Sequence, residues 1–243
     1  HKEYRRQRQM CIRDSPLAGY TVKGFLWNQG EANVGAHNNY HHRLADMVSI
    51  WRDEWKQGEL PFYFVEIPAW SYGNPDGTVA AFLRESQHKA AGLIPSSDCV
   101  STTDLIYPWE VECIHGSKKE EIGERLAFMA AGKTYGVAGM PVGYPKYKSV
   151  DFNGNKAVIY LDNVDNGLTP SGELAGFEVA GEDKVFHPAK AKELLYCRAI
   201  EVTSDEVPDI KAVRYCFHNF AIGGVHNHLG LPLVPFRTDN WDE

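Results

Sequence analysis

Two short stretches hold the residues able to do chemistry. Between Gly24 and Leu44 the chain reads GFLWNQGEANVGAHNNYHHRL, where an apolar run ending at Trp27 gives way to Gln29, Gly30, Glu31 and Asn33 before a helix begins. A turn needs only Gly, Asn, Asp or Ser, so a glutamine and a glutamate there point to a task beyond reversing the chain. Between Trp109 and Gly136 the chain reads WEVECIHGSKKEEIGERLAFMAAGKTYG. His115 precedes a helix whose partial positive charge at the N-terminus disfavours imidazolium, the state a general base must avoid. Glu112, three residues earlier, is close enough across a turn to accept a hydrogen bond from the ring. By type and position alone, a loop histidine is more often superficial or structural than catalytic.

These residues have to be placed by the elements around them. Val22–Trp27, Pro61–Ile67 and Cys99–Thr103 are short aromatic or β-branched runs of the kind that form buried parallel strands. Tyr40, Leu44, Met47, Val48, Trp51 and Trp55 recur on one face of a helix that Gly58 should end, which makes Trp51 and Trp55 core residues. A second helix is expected from Thr78 to Gly92, burying Val79, Phe82, Leu83 and Ala90. The third should open on a capping box of Ser117 and Glu120, bury Ile122, Leu126, Met129 and Ala130, and stop at Gly136. Strands alternating with helices through short connections imply right-handed crossovers and a parallel sheet between helical layers. Ligands of such sheets sit beyond the carboxyl ends of the strands. Those ends carry Gln29, Gly30, Glu31 and Asn33, then Trp70, a candidate for a substrate cleft, and then Asp104.

Near residue 145 the pattern changes. Asn153 and Gly154 mark a hairpin between two apolar runs, and GFEVAG, LLYCRAIEV and AVRYCF read as further strands. The longest helix-like run there is PAKAKELL, from Pro188 to Leu195. Residues 16–144 are thus expected to form an incomplete α/β unit, and 145–243 a mainly β unit. The first fifteen residues stand apart. They carry five Lys or Arg and no apolar core, and read as adapter-derived sequence rather than a signal peptide.

The 243 residues carry a formal net charge of -7, with 43% apolar and 23% charged side chains, values of an ordinary packed protein. The acidic balance and the lack of a basic stripe argue against nucleic acid as a partner. No apolar run approaches the length of a membrane span. The five cysteines, Cys11, Cys99, Cys113, Cys197 and Cys216, form no CxxC pair, so neither a zinc site nor a disulfide framework is indicated. Cys197 and Cys216 lie in strand-like runs and read as two free buried thiols. His41 and His42 fall on the polar flank of the first helix, and His226 and His228 lack acidic or thiol neighbours at ligand spacing. No metal and no cofactor are implied.

Taken together, the motifs resemble the sialate O-acetylesterase family of SGNH hydrolases, which remove acetyl esters from sugar hydroxyls. A W-x-Q-G-E-x-N block after a strand is matched by Trp27, Gln29, Gly30, Glu31 and Asn33. An R-x-x-Q helix is matched by Arg84 and Gln87, and a strand ending in Asp by Asp104. An I-H-x-x-x-K-x-x-I-G-x-R-L block is matched by Ile114, His115, Lys119, Ile122, Gly123, Arg125 and Leu126. The tail, through GFEVAGEDKVFHPAKAK and GLPLVPFRTDNW, resembles the family's β region, so the likeness runs from about Gly24 to Trp241. The joint occurrence is far more specific than any single motif.

The resemblance implies an SGNH-like three-layer α/β/α parallel sheet, here incomplete, followed by a mainly β C-terminal region. It implies an O-acetylated sugar or glycan as substrate, and a periplasmic, secreted or lysosomal site of action. It makes His115 the base that deprotonates a serine, with the orienting carboxylate either Glu112 or Glu31. Gln29, Gly30 and Asn33 would then face the acyl oxygen or the sugar. Three features depart from the family. The G-x-S-N nucleophile block is not present, and Ser15, followed by Pro16 with no strand before it, does not replace it. Gly116 stands where relatives commonly have Pro, which should loosen the histidine's backbone. Cys113 lies nearer His115 than usual and is expected to be a buried, inert thiol.

Overall fold

The structure, a computed structural model, describes residues 16–195 and 198–241. The expected leader, Ser15, Cys11 and Cys197 lie outside the described residues. Strands β1 (Phe25–Asn28), β2 (Phe62–Val65) and β3 (Ser97–Val100) form a parallel sheet in the order β1-β2-β3. Three helices connect and follow them: α1 (Tyr40–Trp55), α2 (Val79–Leu93) and α3 (Lys119–Met129). Strand side chains alternate between faces, and this divides the core along β2. Phe62 and Phe64 pack with Phe25, Trp27, Tyr40, Leu44, Val48 and Leu83 under α1 and α2. Tyr63 and Val65 pack with Val100, Ile122, Leu126 and Met129 under α3. This is the α/β/α layering implied by the resemblance; on the α3 side, Leu26 of β1 is 59% exposed.

The helix boundaries follow local chemistry more closely than the sequence pattern did. α1 ends before Gly58 because Lys56 itself takes the left-handed turn. Val79, expected in the core, opens α2 and is exposed. Thr78, the N-cap of α2, makes no side-chain cap; Asn219 Oδ1, far away in sequence, accepts the Ala80 N–H at 2.8 Å instead. The capping box at Ser117 and Glu120 does not form. Lys118 is the N-cap of α3, because the Glu110 carboxylate takes the Ser117 N–H at 2.9 Å and holds Ser117 in the preceding loop.

From Lys146 onward the sheets are antiparallel. The first has the order β4 (Lys146–Asn153), β5 (Lys156–Asp162), β11 (Ala199–Thr203), β10 (Lys190–Leu194), β7 (Glu173–Leu174). A second contains β14 (Phe236–Arg237), β12 (Ala212–Tyr215), β8 (Phe177–Ala180) and β9 (His187–Pro188), and β6 (Leu168–Thr169) pairs with β13 (His226–Asn227). The β4–β5 hairpin turns at Gly154 and Asn155, one residue later than expected. Asn153 pairs with Lys156, and Gly154, with φ of 58°, fills the first central position, where glycine is favoured. The helix-like run at Pro188–Leu195 is strand: Ala191 faces the core while Lys190 and Lys192 face outward, a period of two. Ile159, Ile200, Val202, Val179, Val213 and Leu233 fill the space between the sheets. Leu231 and Val234 also return to the layer beneath α3, so the β region closes against the parallel sheet.

Candidate active site

The loop after β1 is built by amides. Gln29 Nε2 donates to Asn33 Oδ1 at 2.8 Å, and the Tyr40 hydroxyl donates to Gln29 O at 3.1 Å. Gln87 of α2 fixes the strand ends from behind. Its Oε1 accepts the Ile67 N–H at 2.9 Å, and its Nε2 donates to Gln29 O and Val65 O at 3.3 Å each. Gly30 is buried in this crossing. A Cβ there would lie 2.6 Å from Ile67 Cγ2 and 2.8 Å from Gln87 Nε2, so the Q-G-E block tolerates no side chain at its centre. Glu31 follows at the start of a 3-10 turn, Glu31–Asn33.

The loop after β2 carries a buried charge and two aromatics. Glu66 is fully buried. Its Oε1 accepts Ser101 Oγ at 2.7 Å, Thr102 N at 2.7 Å and Thr103 Oγ1 at 3.0 Å, and its Oε2 contacts His88 Nε2 at 2.7 Å. Burial opposes ionisation of Glu66, but these bonds and the Arg84 charge outweigh it and hold the carboxyl below its usual range. Trp70 is half-buried and meets Tyr72 edge-on at 4.5 Å. Burial, then the negative charge of Glu31, push the Tyr72 hydroxyl up to about 12, which places Tyr72 within the field of the first loop.

The loop between β3 and α3 bears His115. One carboxylate closes it: Glu110 accepts the Tyr107 N–H and the Ser117 N–H, both at 2.9 Å, so residues on either side of the histidine are tied to one buried group. Val111 O accepts the Ser71 N–H at 3.0 Å, and Glu112 Oε2 accepts Ser71 Oγ at 2.9 Å. Ser71 therefore joins the second loop to the third. Gly116 is buried, and a Cβ there would lie 2.9 Å from Ile106 Cδ1, so the chain passes tight against the core beside the histidine. Cys113, expected to be buried, is exposed; its thiol donates to His115 O at 3.3 Å because the loop tip turns outward. His115 is exposed, and among the described residues its ring has no hydrogen-bond partner; neither Glu112 nor Glu31 touches it.

Asp104 is locked. Arg125 grips it with two bonds of 2.7 and 2.6 Å, and His226 Nε2 of β13 lies 3.2 Å from Oδ2. Burial would raise its carboxyl, but Arg125 and His226 overcome that and lower it to about 2. His228 contacts Asn166 at 3.2 Å instead. The β region adds one further support to the strand ends. Asn219 accepts the Trp70 N–H on its carbonyl at 3.2 Å and donates from Nδ2 to Asn74 O at 2.9 Å, while Gly223 N–H donates to Thr103 O at 3.0 Å.

Gln29, Gly30, Glu31 and Asn33, then Trp70, then Glu112 and His115 all lie on loops that leave the carboxyl edge of one parallel sheet. Ser71, Glu66, Glu110 and Asn219 went unnoticed in the sequence. Pro108 followed by Glu110 is a helix-start signal, but Tyr107 in place of Ser or Thr hid it; the other three act through distant partners and leave no local pattern.

The parallel sheet's carboxyl edge gathers a histidine, carboxylates and amides, and the comparisons place the chain in a carbohydrate esterase family. The family model described as carbohydrate esterase, sialic acid-specific acetylesterase, matches residues 3–131, and the chain belongs to that family. Its fold is similar to the crystal structure of XAC1771, a carbohydrate acetylesterase from Xanthomonas citri, with a TM-score of 0.84 and 34% identity over 93% of this chain and 52% of that one. The chain thus spans about half the length of that protein. Comparison with curated proteins gives no match. No helix among the described residues is long and apolar enough to cross a membrane.

Proposed function

We propose that this chain is the histidine-bearing part of a carbohydrate O-acetylesterase. Its substrate is an O-acetylated sugar, with O-acetyl sialic acid the leading candidate and an acetylated plant polysaccharide the second. His115 takes the proton from a serine hydroxyl as that oxygen attacks the acetyl carbon, then returns it to the departing sugar oxygen. The acetyl-enzyme is released by water activated on the same ring. Glu112 orients the imidazole, and amide hydrogens of Gln29 and Asn33 face the developing oxyanion, with Gly30 allowing the close passage of that loop. Residues 16–144 act as the esterase unit and 145–243 as its β-rich support. The attacking serine belongs to a G-x-S-N block, which this sequence does not contain.

The observation that supports this reading is the hydrogen bond from Ser71 to Glu112, which fixes a carboxylate on the histidine's own loop at the sheet's carboxyl edge. The chain alone and its His115→Ala variant should hydrolyse p-nitrophenyl acetate at one common background rate; a clear excess for the unaltered chain would mean that it holds its own nucleophile. In a longer protein that joins this chain to a G-x-S-N strand, His115→Ala should cut kcat by about 10³-fold or more. Acetate release from O-acetyl sialic acid against acetylated xylan then decides the sugar.

A further inference from the structure

The β3–α3 loop presents one feature that hydrolytic chemistry does not use. Trp109, six residues before His115, is 75% exposed, the most exposed of the large apolar side chains described. Its indole lies parallel to the Tyr107 ring, with centroids 4.6 Å apart and an interplanar angle of 6°. Lys118 Nζ lies 4.5 Å from the centroid of the Tyr107 ring, and its ammonium also donates to Asp104 O at 3.2 Å. Pro108 links the two residues in the sequence and opens a 3-10 turn, and Glu110 accepts the Tyr107 N–H, so the backbone that carries the pair is held in place. The other tryptophans behave differently: Trp27, Trp51 and Trp55 pack around Phe25 and Phe62 in the core, Trp70 lies edge-on against Tyr72, and Trp241 meets Phe186 at a tilt of 51° rather than flat.

A single exposed apolar side chain is ordinary. A rigid two-ring stack is not. One face of the indole is held flat against Tyr107 and its exposure leaves the opposite face to water, so a planar apolar surface of fixed orientation stands on the loop of the catalytic histidine. We infer that Trp109, backed by Tyr107, is a stacking platform for a pyranose ring of the glycan that carries the acetyl group. A pyranose presents a patch of C–H groups on each ring face while its hydroxyls point sideways into water. Such a face covers the open side of an indole without burying a polar group, and a platform held in place beforehand loses little side-chain freedom on binding. The inference rests on the sugar-ester reading above and extends it from the acyl group to the sugar.

The test is a binding titration of the full chain, which needs no turnover. Xylotetraose and methyl α-N-acetylneuraminoside are titrated separately while the indole N–H resonances are followed by NMR, the Trp109 signal being identified by its loss in Trp109→Phe. At least one of the two sugars should shift the Trp109 resonance. Trp109→Ala should weaken that sugar about tenfold, Trp109→Phe much less, and the melting temperature of both variants should match the parent because the side chain is exposed. The inference is overturned if neither sugar moves the Trp109 signal, or if Trp109→Ala binds as tightly as the parent. It is equally overturned if Trp109→Ala instead abolishes self-association seen by sedimentation, since the platform would then be a protein contact. The esterase reading fails on a different result, an unchanged acetate release in His115→Ala of the serine-bearing protein.

Discussion

The Ser71 hydroxyl donates to Glu112 Oε2 at 2.9 Å, so the loop after the second strand holds a carboxylate three residues ahead of His115. That bond uses one carboxylate oxygen, and the proposed mechanism has the other orient the imidazole. In the serine-bearing protein, Glu112→Gln should lower kcat by about 10³-fold, Ser71→Ala by roughly tenfold, and Glu31→Gln by less than Glu112→Gln. A steady-state comparison of the three variants checks this. A larger loss for Glu31→Gln would transfer the orienting role to the first loop.

Gly30 sits where the first loop crosses Ile67 and Gln87. Gly30→Ala should destabilise the fold by roughly 1–3 kcal/mol, because the new methyl meets both neighbours inside contact distance. Urea denaturation of the chain measures the effect. Gly35, which has nothing near its missing Cβ, provides a contrasting site where the only cost is its positive φ.

Glu66 collects four partners from two elements, and truncating it removes the acceptor they share. Glu66→Ala should cost about 3 kcal/mol or more, and Glu66→Gln less, since the amide keeps an acceptor oxygen for Ser101 and Thr102. Denaturation midpoints rank the two variants; equal losses would mean that the carboxylate's charge, not its acceptor geometry, dominates.

Acid should unlock Asp104. Its native value of about 2 lies below the ordinary 3.8, so its stabilisation is complete above the ordinary value and is lost as pH falls through the native one. The loss amounts to about 2 kcal/mol between roughly pH 4 and pH 2, and Asp104→Asn should flatten stability curves across that window.

His218 works in the opposite sense. Its Nε2 lies 2.6 Å from Glu178 Oε2 and its Nδ1 2.9 Å from Asp76 O, two acceptors that only a doubly protonated ring satisfies. The Glu178 bond raises its value above 6.5 against the opposing effect of burial, so its stabilisation is full below the unfolded value and fades as pH rises through the native one. NMR titration should find His218 above 6.5 and find it lowered in Glu178→Gln.

The sequence by itself determined the periodic features. Runs such as Phe62–Val65 read as strands because aromatic and β-branched side chains fill both faces of a buried sheet, and the Tyr40–Trp55 face read as a helix from its spacing. The order of these elements dictated a parallel sheet, and with it the edge where Gln29, Glu31 and His115 emerge. Tertiary structure decided what holds that edge. The capping box failed because Glu110 captured Ser117, the cap of α2 came from Asn219, and the run at Lys190–Leu194 became strand because Ala191 found partners in Leu174 and Val202. Each of these depends on a hydrogen bond or a packing surface whose partner is brought near only when the chain folds, and local spacing carries no record of it.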